Sequence, residues 1–277
     1  MTLATLTEVL ATAAQRKQAV GAFNVFSIEH AEALVAGAEQ AGTDVVLQVS
    51  QNAVRYHGAL RPIGLATLAI AEAAAVRAVV HLDHATERDL VDQAVELGFT
   101  SVMFDASALP YQKNVAETAA VVAQCRARGI SVEAELGEVG GKDGVHAPGA
   151  RTRPEEAVSF VAETGVDALA VAVGSSHAMT ERTAKLDLDL IAELAAAVPV
   201  PLVLHGSSGV ADDEIVRAVA AGMTKINIAT HLNAVFTDRV RAVLGDNPAM
   251  VDSRKYLGPA RDAMAAEVAR LLTLLAS

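Results

Sequence analysis

One alternation constrains this chain more than anything else in it. Short apolar runs of strand length are each followed by a longer segment whose apolar residues recur at three- and four-residue spacing, and the unit repeats eight times. The strand candidates are Gly21–Val25, Asp44–Val49, Ala78–Leu82, Ser101–Asp105, Ser131–Leu136, Ala168–Val173, Pro201–Leu204 and Lys225–Ile228. Segments such as Ile28–Ala41, Glu87–Leu97, Val115–Arg128 and Pro154–Glu163 lie between them and read as amphipathic helices. Several close on glycine (Gly42, Gly98, Gly129, Gly165, Gly222), the residue that caps a helix C-terminus in the left-handed conformation. Strands joined by helical crossovers run parallel, and near-continuous apolar runs suit strands covered on both faces. The pattern predicts an α/β fold, a (β/α)8 or TIM barrel.

A barrel of this kind occupies about 250 residues, and the chain has 277. No linker or low-complexity tract divides it, so residues 1–277 read as a single domain. Two segments break the rhythm. Gly137–Arg153 is rich in Gly and polar residues and long for a strand-to-helix connection, which makes it a candidate active-site lid. Gly245–Pro259 is irregular and precedes a closing helix at Ala260–Leu275. The formal net charge of −11 argues against nucleic-acid binding, though local donors in a cleft can still hold an anionic substrate. The single cysteine, Cys125, excludes an internal disulfide and suits packing better than chemistry, which leads to a cytoplasmic expectation. Met1–Arg16 lacks a basic start and reads as an ordinary helix with a capping box at Thr5–Glu8. Leu65–Val80, the longest apolar stretch, is interrupted by Glu72 and Arg77, so no membrane span is expected.

The chemistry concentrates at the strand ends. His84 closes Ala78–His84, His177 follows Ala168–Val173 across Gly174-Ser175-Ser176, and His205 closes Pro201–Leu204. Neutral imidazole is the commonest ligand for a divalent transition metal, and three ligands with an open fourth position mark a catalytic site. Matching strand ends are also where such a barrel places its active site. A single histidine there would more simply satisfy a buried hydrogen bond; three with an adjacent Asp83 favour a metal. Asp83 could orient His84, ligate the ion or move a proton. Glu133 and Glu135 share one face of their strand, where buried carboxylates need a cation or a donor. Asp105 ends the neighbouring strand and either joins that network or caps the next loop. After strands seven and eight, His205-Gly206-Ser207-Ser208-Gly209 and Lys225–Thr230 offer backbone N–H groups, hydroxyls and Asn227 where barrels recurrently bind phosphate.

These residues resemble the class II, metal-dependent ketose-bisphosphate aldolases over nearly the whole chain. The matching stretches are Gly21-Ala22-Phe23-Asn24, His81-Leu82-Asp83-His84, Ser101–Ser107, Val132–Gly137, Gly140-Gly141, Leu204-His205-Gly206, Lys225–Ile228 and Arg254–Arg261. The resemblance implies that His84, His177 and His205 bind one catalytic Zn2+, with Asp105 and Glu135 in the surrounding carboxylate network. It implies that Asp83 exchanges a proton with the C4 hydroxyl of the ketose. Asn24, Ser50, Gly174, Gly206, Ser207, Asn227 and Thr230 would bind substrate, Ser50 near the distal phosphate. A cation on the carbonyl and hydroxyl oxygens of the dihydroxyacetone half stabilises the enediolate left when the C3–C4 bond breaks. The family also admits a monovalent cation at the phosphate and a homodimeric or homotetrameric assembly.

The chain departs from the family pattern at several positions. Asp143 stands where many members carry a glutamate as the carbon acid/base, and Ala178 follows the second of the three histidines where Gly is common. Glu181 replaces a lysine of some members, and Ala229 matches the tagatose-type rather than the fructose-type enzymes. The distal-phosphate arginine falls near Gly258, leaving Arg254, Arg261 or Arg55 as candidates. Lys225, not needed for a Schiff base, is assigned to structure or to phosphate attraction. Fructose-1,6-bisphosphate is the default substrate, with tagatose-1,6-bisphosphate or another ketose 1-phosphate as the alternative. Two other readings are a metal-dependent sugar-phosphate epimerase or isomerase and a non-catalytic sugar-phosphate binding protein.

Overall fold

The computed structural model describes residues 3–136, 151–176, 179 and 181–277. Its strands are β1 (Val20–Asn24), β2 (Val45–Ser50), β3 (Ala78–Ala85), β4 (Ser101–Phe104), β5 (Ser131–Leu136), β6 (Ala168–Val171), β7 (Leu202–Leu204) and β8 (Met223–Ile228). All pairings between them are parallel, and β8 returns to β1 to close the barrel in chain order. The (β/α)8 architecture expected from the alternation is therefore the one observed. The helices are α1 (Leu6–Gln15), α2 (Ile28–Ala41), α3 (Gln51–His57), α4 (Leu60–Ala73), α5 (Arg88–Leu97), α6 (Tyr111–Arg126), α7 (Pro154–Thr164), α8 (Leu188–Ala197), α9 (Asp212–Ala221), α10 (Thr230–Asp246) and α11 (Arg254–Leu275). Among the described residues no helix is long and apolar enough to cross a membrane.

Among the boundaries that differ from expectation, two have identifiable reasons. β3 runs on to Ala85 because pairing with β4 resumes at Ala85↔Phe104 after a register break beyond Leu82↔Val102. α11 begins at Arg254, ahead of Ala260, because the helix runs through Pro259 in its second turn at the expense of the backbone hydrogen bond that a residue with an N–H would make there.

The barrel interior is layered, because residues two apart on a strand share a face. At the bottom, α1 packs Leu6, Val9, Leu10 and Ala13 against Val20, Ala22, Val46, Val79, Ala168 and Val203. The expected capping box holds α1 in place: Glu8 N–H donates to the Thr5 hydroxyl, and Thr5 N–H donates to the Glu8 carboxylate. Two residues further up β2 and β3 the interior turns polar, with Gln48 and His81 joined by Glu133 and Lys225, all fully buried. One more step up, Ser50, Asp83, Glu135 and Asn227 reach the C-terminal mouth. A dry apolar floor thus supports a polar layer, and the polar layer supports the site.

Candidate metal centre and substrate cleft

Strict alternation along β3 would send Asp83 and His84 to opposite faces. The backbone breaks that rule at His84, which adopts φ +50° at the β3–β4 register break. A positive φ at a residue other than glycine is uncommon and marks functional sites. Its effect here is to turn His84 inward beside Asp83, with His84 Nε2 3.9 Å from Asp83 Oδ1. His84 Nδ1–H donates to Asp105 Oδ2 at 2.8 Å. The other oxygen of Asp105 accepts from the Ser107 hydroxyl at 2.6 Å and from Ser107 N–H at 3.2 Å. Asp105 therefore fills both roles weighed for it, orienting the histidine and closing the following turn. Fixing Nδ1 in this way directs Nε2 toward the barrel mouth.

His205 sits across the mouth, its ring centroid 4.7 Å from that of His84. Nδ1 of His205 lies 3.0 Å from Glu135 Oε2, and Nε2 lies 3.0 Å from Glu133 Oε1. Burial disfavours the charged ring, but the hydrogen bonds to the two carboxylates prevail and raise its pKa to about 9. Glu133 passes its second oxygen to the ammonium of Lys225 at 2.8 Å, and Lys225 also donates to Gln48 Oε1 at 2.8 Å. Burial opposes the Glu133 charge too, yet Lys225 and the histidines hold its carboxyl below the usual range. With Nζ fully enclosed and engaged twice, Lys225 is structural; phosphate attraction is excluded for it.

Asp83 is the other end of this network. Its Oδ2 accepts from Asn24 at 3.1 Å, and Asn24 Oδ1 accepts from Gln48 at 3.4 Å. Burial would raise the Asp83 carboxyl, but His84, His81 and Lys225 outweigh it and bring the pKa to about 2. The group is an anion at neutral pH, with Oδ1 buried and lacking a hydrogen-bond partner among the described residues. His81, beneath it, bonds Ser101 Oγ through Nδ1 at 2.8 Å; burial and then Lys225 lower its pKa to about 3, so it stays neutral.

His84, Glu135 and His205 present ligand atoms within 4.8 Å of one another. That donor set, two imidazoles and a carboxylate, suits Zn2+ or a similar divalent ion. Among the described residues Asp83 Oδ1, Asn227 Oδ1 and Ser175 Oγ are buried without hydrogen-bond partners. Such atoms are costly unless a ligand engages them, so the residues fit a metal and a polar substrate. His177, Ala178 and Asp143 lie outside the described residues, as does most of the lid candidate.

The phosphate-side residues gather as the barrel pattern requires. Gly206 has φ +68°, and a Cβ there would lie 2.6 Å from the backbone of Ser176, so the loops after β6 and β7 touch at this glycine. Ser207 donates its hydroxyl to Leu204 O at 3.1 Å. Ser208, which the sequence did not single out, accepts from the N–H groups of Ala229 and His231, each at 3.2 Å. It ties the loop after β7 to the start of α10, where Thr230 is half-buried. Gly174 has φ +115° and packs against Lys185 O and the Arg151 guanidinium. Ser50 caps α3, accepting from Ala53 N–H at 3.1 Å. The distal-phosphate candidates have carboxylate partners: Arg55 faces Glu87, Arg254 faces Asp252, and Arg261 bridges Glu32 and Asp262. Glu181 is exposed.

Comparison with known proteins agrees with this geometry. The family model described as "Fructose-bisphosphate aldolase class-II" matches residues 4–277. A fructose-bisphosphate aldolase of Geobacillus stearothermophilus is 39% identical over 272 residues, covering 97% of this chain and 95% of that one. One from Thermus caldophilus is 38% identical over 302 residues, covering 99% and 98%. Among solved structures, the YdjI aldolase of Escherichia coli K12 superposes with a TM-score of 0.87 at 28% identity, covering 99% of this chain and 97% of that one.

Proposed function

The chain belongs to the class-II fructose-bisphosphate aldolase family, and from that premise we propose that it reversibly cleaves fructose-1,6-bisphosphate to dihydroxyacetone phosphate and an aldehyde, using a Zn2+ ion held by His84, His177 and His205. The observation that carries the reading is the convergence of His84, His205 and Glu135 beside an anionic, partly unpartnered Asp83. When bound, the ion supplies Lewis-acid polarisation of the ketose oxygens, worth several kcal/mol of charge stabilisation.

The chain's own residues do the rest. Asp83 Oδ1 takes the proton of the C4 hydroxyl as the C3–C4 bond breaks, and returns it in the direction of synthesis. Asn24 holds the other Asp83 oxygen, so the carboxylate meets substrate in one orientation. The bond's electron pair remains on C3, and an acid from the 137–150 segment, Asp143 in this reading, protonates that carbon. Gly206, Ser207, Asn227, Thr230 and Gly174 enclose the phosphate of the dihydroxyacetone half, and Ser50 lies toward the distal phosphate. A monovalent cation at the former phosphate belongs to the same reading, as does a cytoplasmic location. A homodimeric or homotetrameric assembly belongs to the same reading.

The test is a panel of ketose mono- and bisphosphates assayed for triose phosphate release by zinc-loaded protein, with and without a chelator. Release from fructose-1,6-bisphosphate that a chelator abolishes and added Zn2+ restores is the expected result. Faster release from tagatose-1,6-bisphosphate, the outcome Ala229 would favour, would reassign the substrate. No release from any ketose phosphate by zinc-loaded protein would overturn the reading.

A further inference from the structure

We propose that Lys225 and Glu133, neither of which reaches the substrate cleft, are positioning residues that decide which nitrogen His205 offers to the metal. This rests on the reading that His205 is a ligand.

The two candidate imidazoles are oriented in opposite senses. His84 gives Nδ1–H to Asp105 and keeps Nε2 for the mouth. His205 has a carboxylate at each nitrogen, and the two carboxylates are not equivalent. Glu135 belongs to the ligand cluster with His84 and stands at the mouth. Glu133 lies one layer lower, with its second oxygen on a buried ammonium. A carboxylate already neutralised by Lys225 is a poor competitor for a dication but a good acceptor for an N–H. The geometry therefore assigns the proton to His205 Nε2 and the ion to Nδ1.

Lys225 enforces this arrangement from below. Its ammonium bridges Glu133 on β5 and Gln48 on β2, from β8. Through Gln48 and Asn24 the same chain of hydrogen bonds reaches Asp83 Oδ2. One buried cation thus braces the orienting group of a metal ligand and, at its other end, the proposed acid/base. Carboxylates that fix a ligating histidine typically account for about 10–100-fold in metal affinity.

The experiment measures Zn2+ affinity of the full-length protein by competition with a chromophoric chelator, for wild type, Glu133→Gln, Lys225→Met and His205→Ala. The inference expects Glu133→Gln and Lys225→Met to weaken Zn2+ binding by about 10–100-fold. A methionine there leaves Glu133 without its counter-ion, so the double variant Lys225→Met/Glu133→Leu, which removes both charges together, serves where the single one fails to fold. It too should lose at least tenfold, about the lower end of that range. In parallel, ring-nitrogen NMR of zinc-loaded, 15N-histidine-labelled protein should show His205 metal-bound at Nδ1 and protonated at Nε2. Affinity within about twofold of wild type in folded Glu133 and Lys225 variants, well short of the expected loss, or zinc on Nε2, overturns the inference. If His205→Ala also leaves zinc binding intact, the ligand assignment falls instead, and the two failures are separable.

Discussion

Gly206 and Gly42 offer a controlled measurement of what the contact between the loops after β6 and β7 is worth. Both are left-handed, with φ +68° and +65°. They differ in surroundings. A Cβ at Gly42 would meet nothing within 4 Å, whereas one at Gly206 would lie 2.6 Å from both C and O of Ser176 and 2.9 Å from its N. Gly42→Ala thus carries the left-handed penalty alone, about 1 kcal/mol. Gly206→Ala carries that penalty and an overlap of roughly 0.8 Å with rigid backbone, adding about 1–3 kcal/mol as overpacking does. The loss of unfolded-chain entropy is the same at both sites and cancels in the comparison. With a urea m-value of about 3 kcal/mol/M, the expected midpoint shifts are about 0.3 M for Gly42→Ala and about 0.7–1.3 M for Gly206→Ala. The local effect should also differ. Ser176 leads directly into His177 and Gly206 follows His205, so the overlap pushes two proposed ligands apart, and only Gly206→Ala should weaken zinc binding. Equal midpoint shifts and equal zinc affinities in the two variants would show that the loops do not touch as described.

His84→Ala should abolish both zinc binding and cleavage; zinc content and turnover equal to wild type would remove His84 from the ligand set. Asp83→Ala should retain zinc and slow cleavage by about 10²–10⁴, the span of a general acid–base group, and unchanged steady-state kinetics would exclude it from the mechanism. Glu267 offers a pH test. Burial opposes its charge, but His231 and Arg270 hold its carboxyl at about 2 against an ordinary 4.5. Because the folded-state value is depressed, the stabilisation is present above about pH 4.5 and is lost as pH falls toward 2. Full shielding would make this depression worth roughly 3 kcal/mol, and screening of the half-exposed Arg270 reduces it to about 1 kcal/mol. Glu267→Gln should therefore lower stability by that amount at pH 7 and match wild type near pH 2 in acid titrations followed by circular dichroism; a constant difference across the range would contradict it.

Much of this protein follows from local order in its sequence. Strand and helix in eightfold alternation, with glycine closing several of the helices, call for a parallel sheet, because each crossover must cover the sheet it leaves. Residues two apart on a strand share a face, so the pairing of Glu133 with Glu135 and the placement of His205 and Asn227 at the mouth were legible without coordinates. What alternation could not foresee is where it fails. His84 turns inward only because its backbone flips to positive φ at the break in β3–β4 pairing, and that break depends on how two distant strands register. The same holds for Lys225. As a residue type it left a structural role and phosphate attraction both open; its side chain runs inward to Glu133, 92 positions away in the chain, and to Gln48, 177 away. Ser208 is one hydroxyl in a small-residue turn by sequence, and its role comes from N–H groups at the start of α10 that donate to it across the fold. Periodicity is a property of neighbours along the chain and sets which way each side chain points. Which charges meet inside the barrel depends on eight strands closing around a common axis, and only the tertiary structure determines that.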